Sequence, residues 1–149
     1  MKAVIQRVLS ASVTINNETV SKIGNGLCLF LGIEKNDTET EALWLANKIA
    51  GLRIFEDEAG KMNRSITDIG GSVLVVSQFT LLADCTMGRR PSFTKAEAPQ
   101  QADSLYLFFS QALKNLQIPV KNGIFGADML VRIENNGPAT FILESPTKK

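Results

Sequence analysis

Residues 77–80, Ser-Gln-Phe-Thr, form the first group of side chains in this sequence that could carry chemistry. They directly follow the apolar, β-branched segment 72–76, which is typical of a buried strand. The Gln78 amide can donate and accept hydrogen bonds, and the Phe79 ring can cover a planar ligand. Ser77 and Thr80 add hydroxyls, so the group favours a binding site on a rigid platform. The alternative is a strand that leaves the core, with Thr80 an ordinary strand residue and Phe79 a packing residue.

The second group is the segment 136–140, Asn-Gly-Pro-Ala-Thr. Pro138 has no N–H to donate to a strand ladder, and it restricts the residue before it, where glycine tolerates unusual backbone angles. If the Gly137–Pro138 peptide bond is cis, it turns the neighbouring carbonyls in one direction and holds them there. An ordinary turn is the alternative interpretation.

The composition excludes several kinds of catalytic site. The chain has no histidine, which removes Ser-His-Asp and Cys-His nucleophiles, imidazole bases and most zinc sites. Cys28 and Cys85 form no CxxC pair, so we expect no metal site and no cofactor. Cys28 lies in an apolar run and is predicted to be a small core residue, whereas Cys85 lies in a polar stretch with no base beside it. Any chemistry must come from carboxylates, hydroxyls, backbone groups or the substrate.

The charge balance limits the partners. Sixteen basic and fifteen acidic residues give a net charge of +1, which argues against binding a long phosphate tract but permits contact with one end of a nucleic acid. The dense basic cluster is Arg89-Arg90 with Lys95 nearby, for which a solvated loop is the ordinary interpretation. The sequence has no long apolar run and no signal peptide, so we expect a cytoplasmic protein without a membrane partner.

Hydrophobic periodicity predicts two helices. Thr38 and Glu41 have the spacing of a capping box, and the apolar residues that follow recur at helical spacing as far as Gly51. Pro99 suits a first helical turn, and a second apolar stripe runs from there to Leu116.

Alternating and continuous apolar runs predict the strands. They cover residues 2–9, 11–16, 19–23, 27–33, 52–55, 72–76, 129–134 and 139–144. The last two segments are predicted to form a β-hairpin or a tight connection around residues 135–138. Without regular βαβ alternation, repeats or a linker, the prediction is an α+β fold. Mixed, largely antiparallel β-sheets pack with two amphipathic helices in a single layered domain covering residues 1–149.

The chain resembles the D-aminoacyl-tRNA deacylase family from end to end. The resemblance rests on five blocks in the same order: residues 1–8 (MKAVIQRV), 70–81 (with SQFTL), 90–93 (RPSF), 125–129 (FGADM) and 136–140 (NGPAT). The last motif usually reads Gly-Pro-Val-Thr, and Ala139 stands here in place of the valine. We expect slightly looser packing there and no change of function.

The resemblance implies a homodimeric hydrolase whose partner is the 3′ end of an aminoacyl-tRNA. Such an enzyme cleaves the ester that joins a D-amino acid, or mischarged glycine, to the terminal ribose. The Gly137-Pro138 element would be cis, would enter the site of the opposite subunit and would exclude L side chains, with Arg7 helping to hold it. Ser77 and Gln78 would bind the substrate, and Phe79 and Thr80 would be catalytic.

The catalytic step is open at this stage. Thr80 could be a nucleophile, but neither motif contains an acidic residue to activate its hydroxyl. We favour assistance by the ribose 2′-hydroxyl, with the N–H groups near Phe79 and Thr80 stabilising the oxyanion. The alternatives are a deacylase branch with a different chirality rule, and a non-catalytic module that binds an RNA 3′ end or dimerises through a sheet edge.

Overall fold

The computed structural model describes residues 1–146. In chain order the elements are β1 (Lys2–Ile15), β2 (Glu18–Ile23), β3 (Gly26–Gly32), helix α1 (Glu39–Gly51), β4 (Phe55–Glu56), β5 (Met62–Arg64), β6 (Ser72–Ser77), a 3₁₀ helix (Phe79–Leu82), helix α2 (Pro99–Asn115), β7 (Val120–Asn122) and β8 (Leu130–Glu144). None of the helices within this range is long and apolar enough to cross a membrane.

The long strand β1 organises the main sheet. Its first half pairs with β3 and its second half with β2, while β8 pairs with it along nearly its whole length; all these pairings are antiparallel. Beyond β3 the sheet continues with β6 and β7, which are parallel to their neighbours, and β4 and β5 form a separate two-stranded ribbon. The predicted α+β class with mixed, largely antiparallel sheets and two helices is confirmed.

Each face of the sheet covers its own hydrophobic cluster, because successive strand residues point to opposite faces. Leu27 and Leu29 of β3 join the larger cluster, to which both α-helices contribute. Cys28 faces the other way and packs with Leu74 and Val13 in the smaller cluster. Burial raises the pKa of the Cys28 thiol to about 12, and its prediction as a small core residue is confirmed.

Both helices begin where the sequence predicts. The Glu41 carboxylate accepts a hydrogen bond from the Thr38 N–H at 2.6 Å, and the Thr38 hydroxyl accepts one from the Thr40 N–H at 3.3 Å, which completes a capping box. Helix α2 has Pro99 in its first turn and ends at Asn115, one residue before the predicted end. These local signals are reliable because the capping box satisfies N–H groups that have no partner within the helix, and Pro99 has no N–H that would need one.

Five of the predicted strand segments are wrong in their bounds. The segments 2–9 and 11–16 are one continuous strand, and 129–134 and 139–144 are also one strand, not a hairpin. In both cases the pairing of β1 with β8 is irregular around Arg7, which shifts the hydrophobic alternation and imitates a break. The strand predicted at 52–55 lies at Phe55–Glu56.

Gly26 is predicted to be essential for packing β3 against the segment that opens β6. In Gly26→Ala, the added carbon would lie 1.8 Å from the carbonyl oxygen of Ser72, which belongs to the backbone and cannot swing aside. We expect the free energy of unfolding to fall by about 3 kcal/mol or more. The matched control is Gly24→Ala, which meets no atom within 4 Å and should change stability by less than about 0.5 kcal/mol. Urea denaturation of both variants measures this, and equal midpoints would contradict the prediction.

Candidate active site

The end of β6 delivers the first predicted group to one end of the sheet. Ser77 pairs with Leu31 of β3, and the Gln78 N–H still donates to the Leu31 carbonyl at 2.8 Å. The chain then turns into the 3₁₀ helix, whose first internal hydrogen bond runs from the Leu81 N–H to the Gln78 carbonyl at 3.2 Å. The N–H groups of Phe79 and Thr80 come before that bond, so they have no partner within the helix.

A cavity of about 670 Å³ opens beside this turn. Its volume lies within the range of pockets that hold small organic ligands. The walls come from the residue after β3, the end of β6, the segment before α2, the first turns of α2, the loop before β8 and the start of β8: Ile33, Val76, Ser77, Gln78, Phe79, Phe93, Ala96, Glu97, Ala98, Pro99, Ala102, Phe125, Gly126, Ala127, Asp128, Met129 and Val131. Three of the predicted site residues, Ser77, Gln78 and Phe79, therefore share one pocket.

Thr80 does not line this cavity. It is exposed, and its hydroxyl accepts a hydrogen bond from the Gln78 side-chain amide. The Phe79 ring, 56% exposed, packs edge-to-face on Phe93 with the ring centroids 5.0 Å apart. An amide N–H cannot remove a proton from the threonine, so this partner fits a positioning role better than nucleophilic attack.

The cavity wall contains two carboxylates that the sequence interpretation did not include, Glu97 and Asp128. One Glu97 oxygen accepts from the Ala98 N–H at 2.7 Å. Within the described range, no group of three or more His, Cys, Asp or Glu residues could hold a metal ion.

The second predicted group forms an exposed protrusion of β8. The Gly137–Pro138 peptide bond is cis, as the resemblance implies, and both residues are exposed. Gly137 has φ +141°, a conformation that side chains rarely adopt, and a carbon added there would lie 2.9 Å from an Arg7 nitrogen. We call residues 136–139 the Gly-Pro protrusion.

Two side chains hold the protrusion at its base. Arg7, only 5% exposed, donates from Nε to the Asn136 carbonyl at 2.8 Å and from a terminal nitrogen to the Ile54 carbonyl at 2.9 Å. Its other terminal nitrogen lies 3.8 Å from the Glu56 carboxylate. Asn135, which the sequence interpretation missed, accepts from the Ala139 N–H at 2.7 Å. The tip is therefore exposed to solvent while its base is fixed.

Within one chain, the structure does not bring the two groups together. Ser77 is level with Leu31 and Ala3, whereas the Gly-Pro protrusion is level with Arg7 on the far edge of β1. No residue of the Gly-Pro protrusion is among those that line the cavity beside residues 77–79.

Two of the cavity residues that the sequence interpretation missed lie in blocks that it did single out. Phe93 and Asp128 lie in the RPSF and FGADM blocks that carry the family resemblance, although neither was given a role. Glu97 and Asn135 lie outside the five blocks. Only the folded chain places Glu97 in the cavity wall and Asn135 at the base of the Gly-Pro protrusion.

Comparisons with known proteins agree on one family. A family model described as D-Tyr-tRNA(Tyr) deacylase matches residues 4–144. The chain is 53% identical over 148 residues to the D-aminoacyl-tRNA deacylase of Geobacter sulfurreducens, covering 99% of this chain and 97% of that protein. It is also 53% identical to the D-aminoacyl-tRNA deacylase of Thermomicrobium roseum, covering 97% and 94% of the two chains.

Solved structures agree in fold. The c-Myc DNA unwinding element binding protein superposes with a TM-score of 0.92 at 44% identity, covering 99% of this chain and 100% of that one. A probable eukaryotic D-amino acid tRNA deacylase superposes with a TM-score of 0.78 at 17% identity, covering 95% and 97%, which supports the fold alone. On the family model and the level of identity to its relatives, the chain belongs to the D-Tyr-tRNA(Tyr) deacylase family of hydrolases.

Proposed function

We propose that this chain hydrolyses the ester between a D-amino acid and the terminal ribose of tRNA, and that it also hydrolyses mischarged glycyl-tRNA. Membership of the family and the names of its relatives support the D-aminoacyl-tRNA deacylase activity. The cavity beside residues 77–79 would receive the terminal aminoacyl-adenosine. In this proposal the whole chain works as one domain, in the cytoplasm, where aminoacyl-tRNA is used.

The observation that carries the finer proposal is that no residue of the Gly-Pro protrusion lines the cavity of its own chain. The protrusion is exposed at its tip and held at its base by Arg7 and Asn135. A rigid exposed element is suited to enter a cavity, and this one does not enter the cavity of its own chain. The working unit in this proposal is therefore a homodimer in which each protrusion enters the partner's cavity.

This arrangement would select chirality by exclusion. A site that attracted D side chains would need to fit many different groups, whereas backbone carbonyls placed where an L side chain must lie reject all of them alike. Glycine has no side chain to reject, so activity on glycyl-tRNA follows from the same geometry.

Catalysis in this proposal depends on backbone groups and the substrate. The free N–H groups of Phe79 and Thr80 would stabilise the oxyanion that develops on the ester carbonyl. The ribose 2′-hydroxyl would help to activate the attacking water, and the Gln78–Thr80 pair would position the substrate. An aminoacyl ester is reactive already, so positioning and oxyanion stabilisation can supply much of the required rate.

Thr80→Ala is predicted to retain deacylation within about tenfold of the wild type, a change of roughly 1.4 kcal/mol in the barrier. The backbone N–H at position 80 remains in this variant, and only the hydroxyl is lost. A substrate with hydrogen in place of the terminal 2′-hydroxyl should lose much more, because it cannot assist. Single-turnover hydrolysis of D-tyrosyl-tRNA with both ribose forms measures this.

Two outcomes would contradict that prediction. An inactive Thr80→Ala that still binds substrate, or a trapped acyl-threonine, would restore Thr80 as the nucleophile. An undiminished rate with the deoxy substrate would mean that the ribose hydroxyl does not activate the water. The Glu97 or Asp128 carboxylate in the cavity wall would then be assigned that role.

Comparing Phe79→Pro with Phe79→Ala isolates the N–H of residue 79. Both variants lose the ring, but only proline also loses the N–H, and residue 79 is the first of the 3₁₀ helix, where proline is tolerated. The preceding Gln78 has φ −144° and ψ 82°, outside the helical region that a following proline disfavours. We expect kcat of the proline variant to be about 100-fold below that of the alanine variant. Equal kcat values, with equal melting temperatures, would remove this N–H from the oxyanion site.

Arg7→Lys is predicted to weaken the rejection of L-aminoacyl-tRNA about tenfold while changing D-aminoacyl hydrolysis much less. Lysine keeps the charge but cannot reach both the Asn136 and Ile54 carbonyls with a fixed fork, so the Gly-Pro protrusion becomes mobile. The readout is the ratio of kcat/KM for D-tyrosyl- and L-tyrosyl-tRNA. The control is Arg132→Lys, whose arginine donates to the Thr14 hydroxyl and should leave the ratio unchanged.

Mixed dimers test the cross-subunit arrangement directly. In a dimer of one Arg7→Lys chain and one Phe79→Pro chain, the first chain keeps an intact cavity and the second keeps an intact protrusion. The intact cavity receives the intact protrusion only if the protrusion acts across subunits. Co-refolding the two variants should then restore rejection of L-aminoacyl-tRNA. A ratio that stays at the Arg7→Lys value, or an active monomer by light scattering, would contradict the homodimer.

A further inference from the structure

Residues 84–92 form a closed loop beside the cavity, which we call the arginine loop. Asp84 and Ser92 exchange two backbone hydrogen bonds, each 2.8 Å long, which clamp the two ends of the loop together. Inside it, the Asp84 carboxylate accepts from the Thr86 N–H at 3.0 Å and from the Thr86 hydroxyl at 2.6 Å. These bonds and the charge of Lys95 hold the pKa of Asp84 below its usual range, so this carboxylate is occupied within the loop.

The loop carries two exposed arginines without a partner. All six arginines lie within the described range. Arg7, Arg64 and Arg132 each have a hydrogen-bond or carboxylate partner. The charge of Arg53 helps to lower the pKa of Asp68. Arg89 and Arg90 have no such partner among residues 1–146, and both are exposed. A guanidinium presents a planar fork of donors that matches a phosphate.

The arginine loop is tied to the cavity by the residue that follows it. Phe93 lines the cavity and packs on Phe79. Only Pro91 and Ser92 lie between Arg90 and Phe93, so the Cα atoms of Arg90 and Phe93 lie at most about 11 Å apart. A ligand that fills the cavity and extends past Phe93 as a chain of phosphates would come within reach of these arginines.

We propose that Arg89 and Arg90 bind backbone phosphates of the single-stranded 3′ end of the tRNA, next to the terminal adenosine that enters the cavity. The proposal rests on the proposed function, which identifies the RNA end at the cavity as the aminoacylated 3′ end. It accounts for the near-neutral charge of the chain, because two forks suffice for a short single strand whereas a duplex tract needs many more contacts.

The test compares two substrates that differ only in phosphates. The first is D-tyrosyl-tRNA, and the second is the D-tyrosyl ester of adenosine, which has no phosphate. The test variant carries Arg89→Gln and Arg90→Gln. The matched control carries Lys48→Gln and Lys114→Gln, which remove two exposed charges from the last turns of α1 and α2, away from the cavity.

We expect the arginine double variant to lose about tenfold in kcat/KM on the tRNA, mostly through KM, and less than twofold on the adenosine ester. The slope of log kcat/KM against log salt between about 50 and 200 mM should become shallower by about 1.4, which corresponds to two single-strand phosphate contacts. The lysine control should match the wild type with both substrates and keep its salt slope.

Other results would overturn the proposal. Equal salt slopes for the two double variants would make the arginine loop a solvated surface. Equal losses on both substrates would make the loop a support for the cavity wall, and a changed oligomeric state by light scattering would make it a subunit contact.

A second measurement separates this proposal from the proposed function. Fluorescence anisotropy reports binding of a labelled uncharged tRNA acceptor stem with its single-stranded end, without any hydrolysis. If the wild type hydrolyses neither ester, the proposed function fails. Weaker, less salt-dependent binding of the acceptor stem by the arginine variant alone would then still support the phosphate contact, and unchanged binding would overturn it.

Discussion

A buried guanidinium in the middle of the longest strands is the interaction on which the rest of this structure depends. Arg7 is almost fully buried, and a buried cation is costly unless carbonyls or carboxylates surround it. Its partners are the Asn136 and Ile54 carbonyls and the Glu56 carboxylate, which belong to β8 and to the segment around β4. One side chain thus fixes where β8 departs from regular pairing and how the small ribbon approaches the sheet. The Gly-Pro protrusion stands out from this point because the strand on each side of it continues to pair with β1.

The register of the sheet imposes the second constraint. Because β8, β1, β3 and β6 lie side by side, the cavity at the end of β6 and the protrusion on β8 are held on separate parts of the same rigid body. The protrusion does not line the cavity of its own chain, and side-chain motion alone does not move a hydrogen-bonded strand. In the proposed function the two elements therefore meet by association of two chains.

Local signals predicted much of this fold, and long-range pairing accounts for most of what they did not. The capping box at Thr38 and the proline at Pro99 act within a few residues, so the sequence is sufficient to place both helices. The continuity of β8 could not be seen in the same way, because Asn135 to Pro138 look like a turn unless the partner strand is known. The cavity shows the same division: residues 77–79 were predicted as a group from their position after a buried strand, whereas Glu97 enters the cavity wall only through folding of the segment before α2.

The absence of histidine is consistent with the way this cavity is built. A side-chain base has to be held in the correct protonation state, while a backbone N–H is always a donor and needs only a fixed direction. The 3₁₀ helix provides that direction, because its first internal hydrogen bond begins at Leu81 and leaves the two preceding N–H groups free. In the proposed function the substrate brings its own hydroxyl next to the ester, so the protein would have only to orient it and to exclude the wrong enantiomer. The fixed geometry of backbone groups, more than the acidity of any side chain, would then set both the rate and the chirality of hydrolysis.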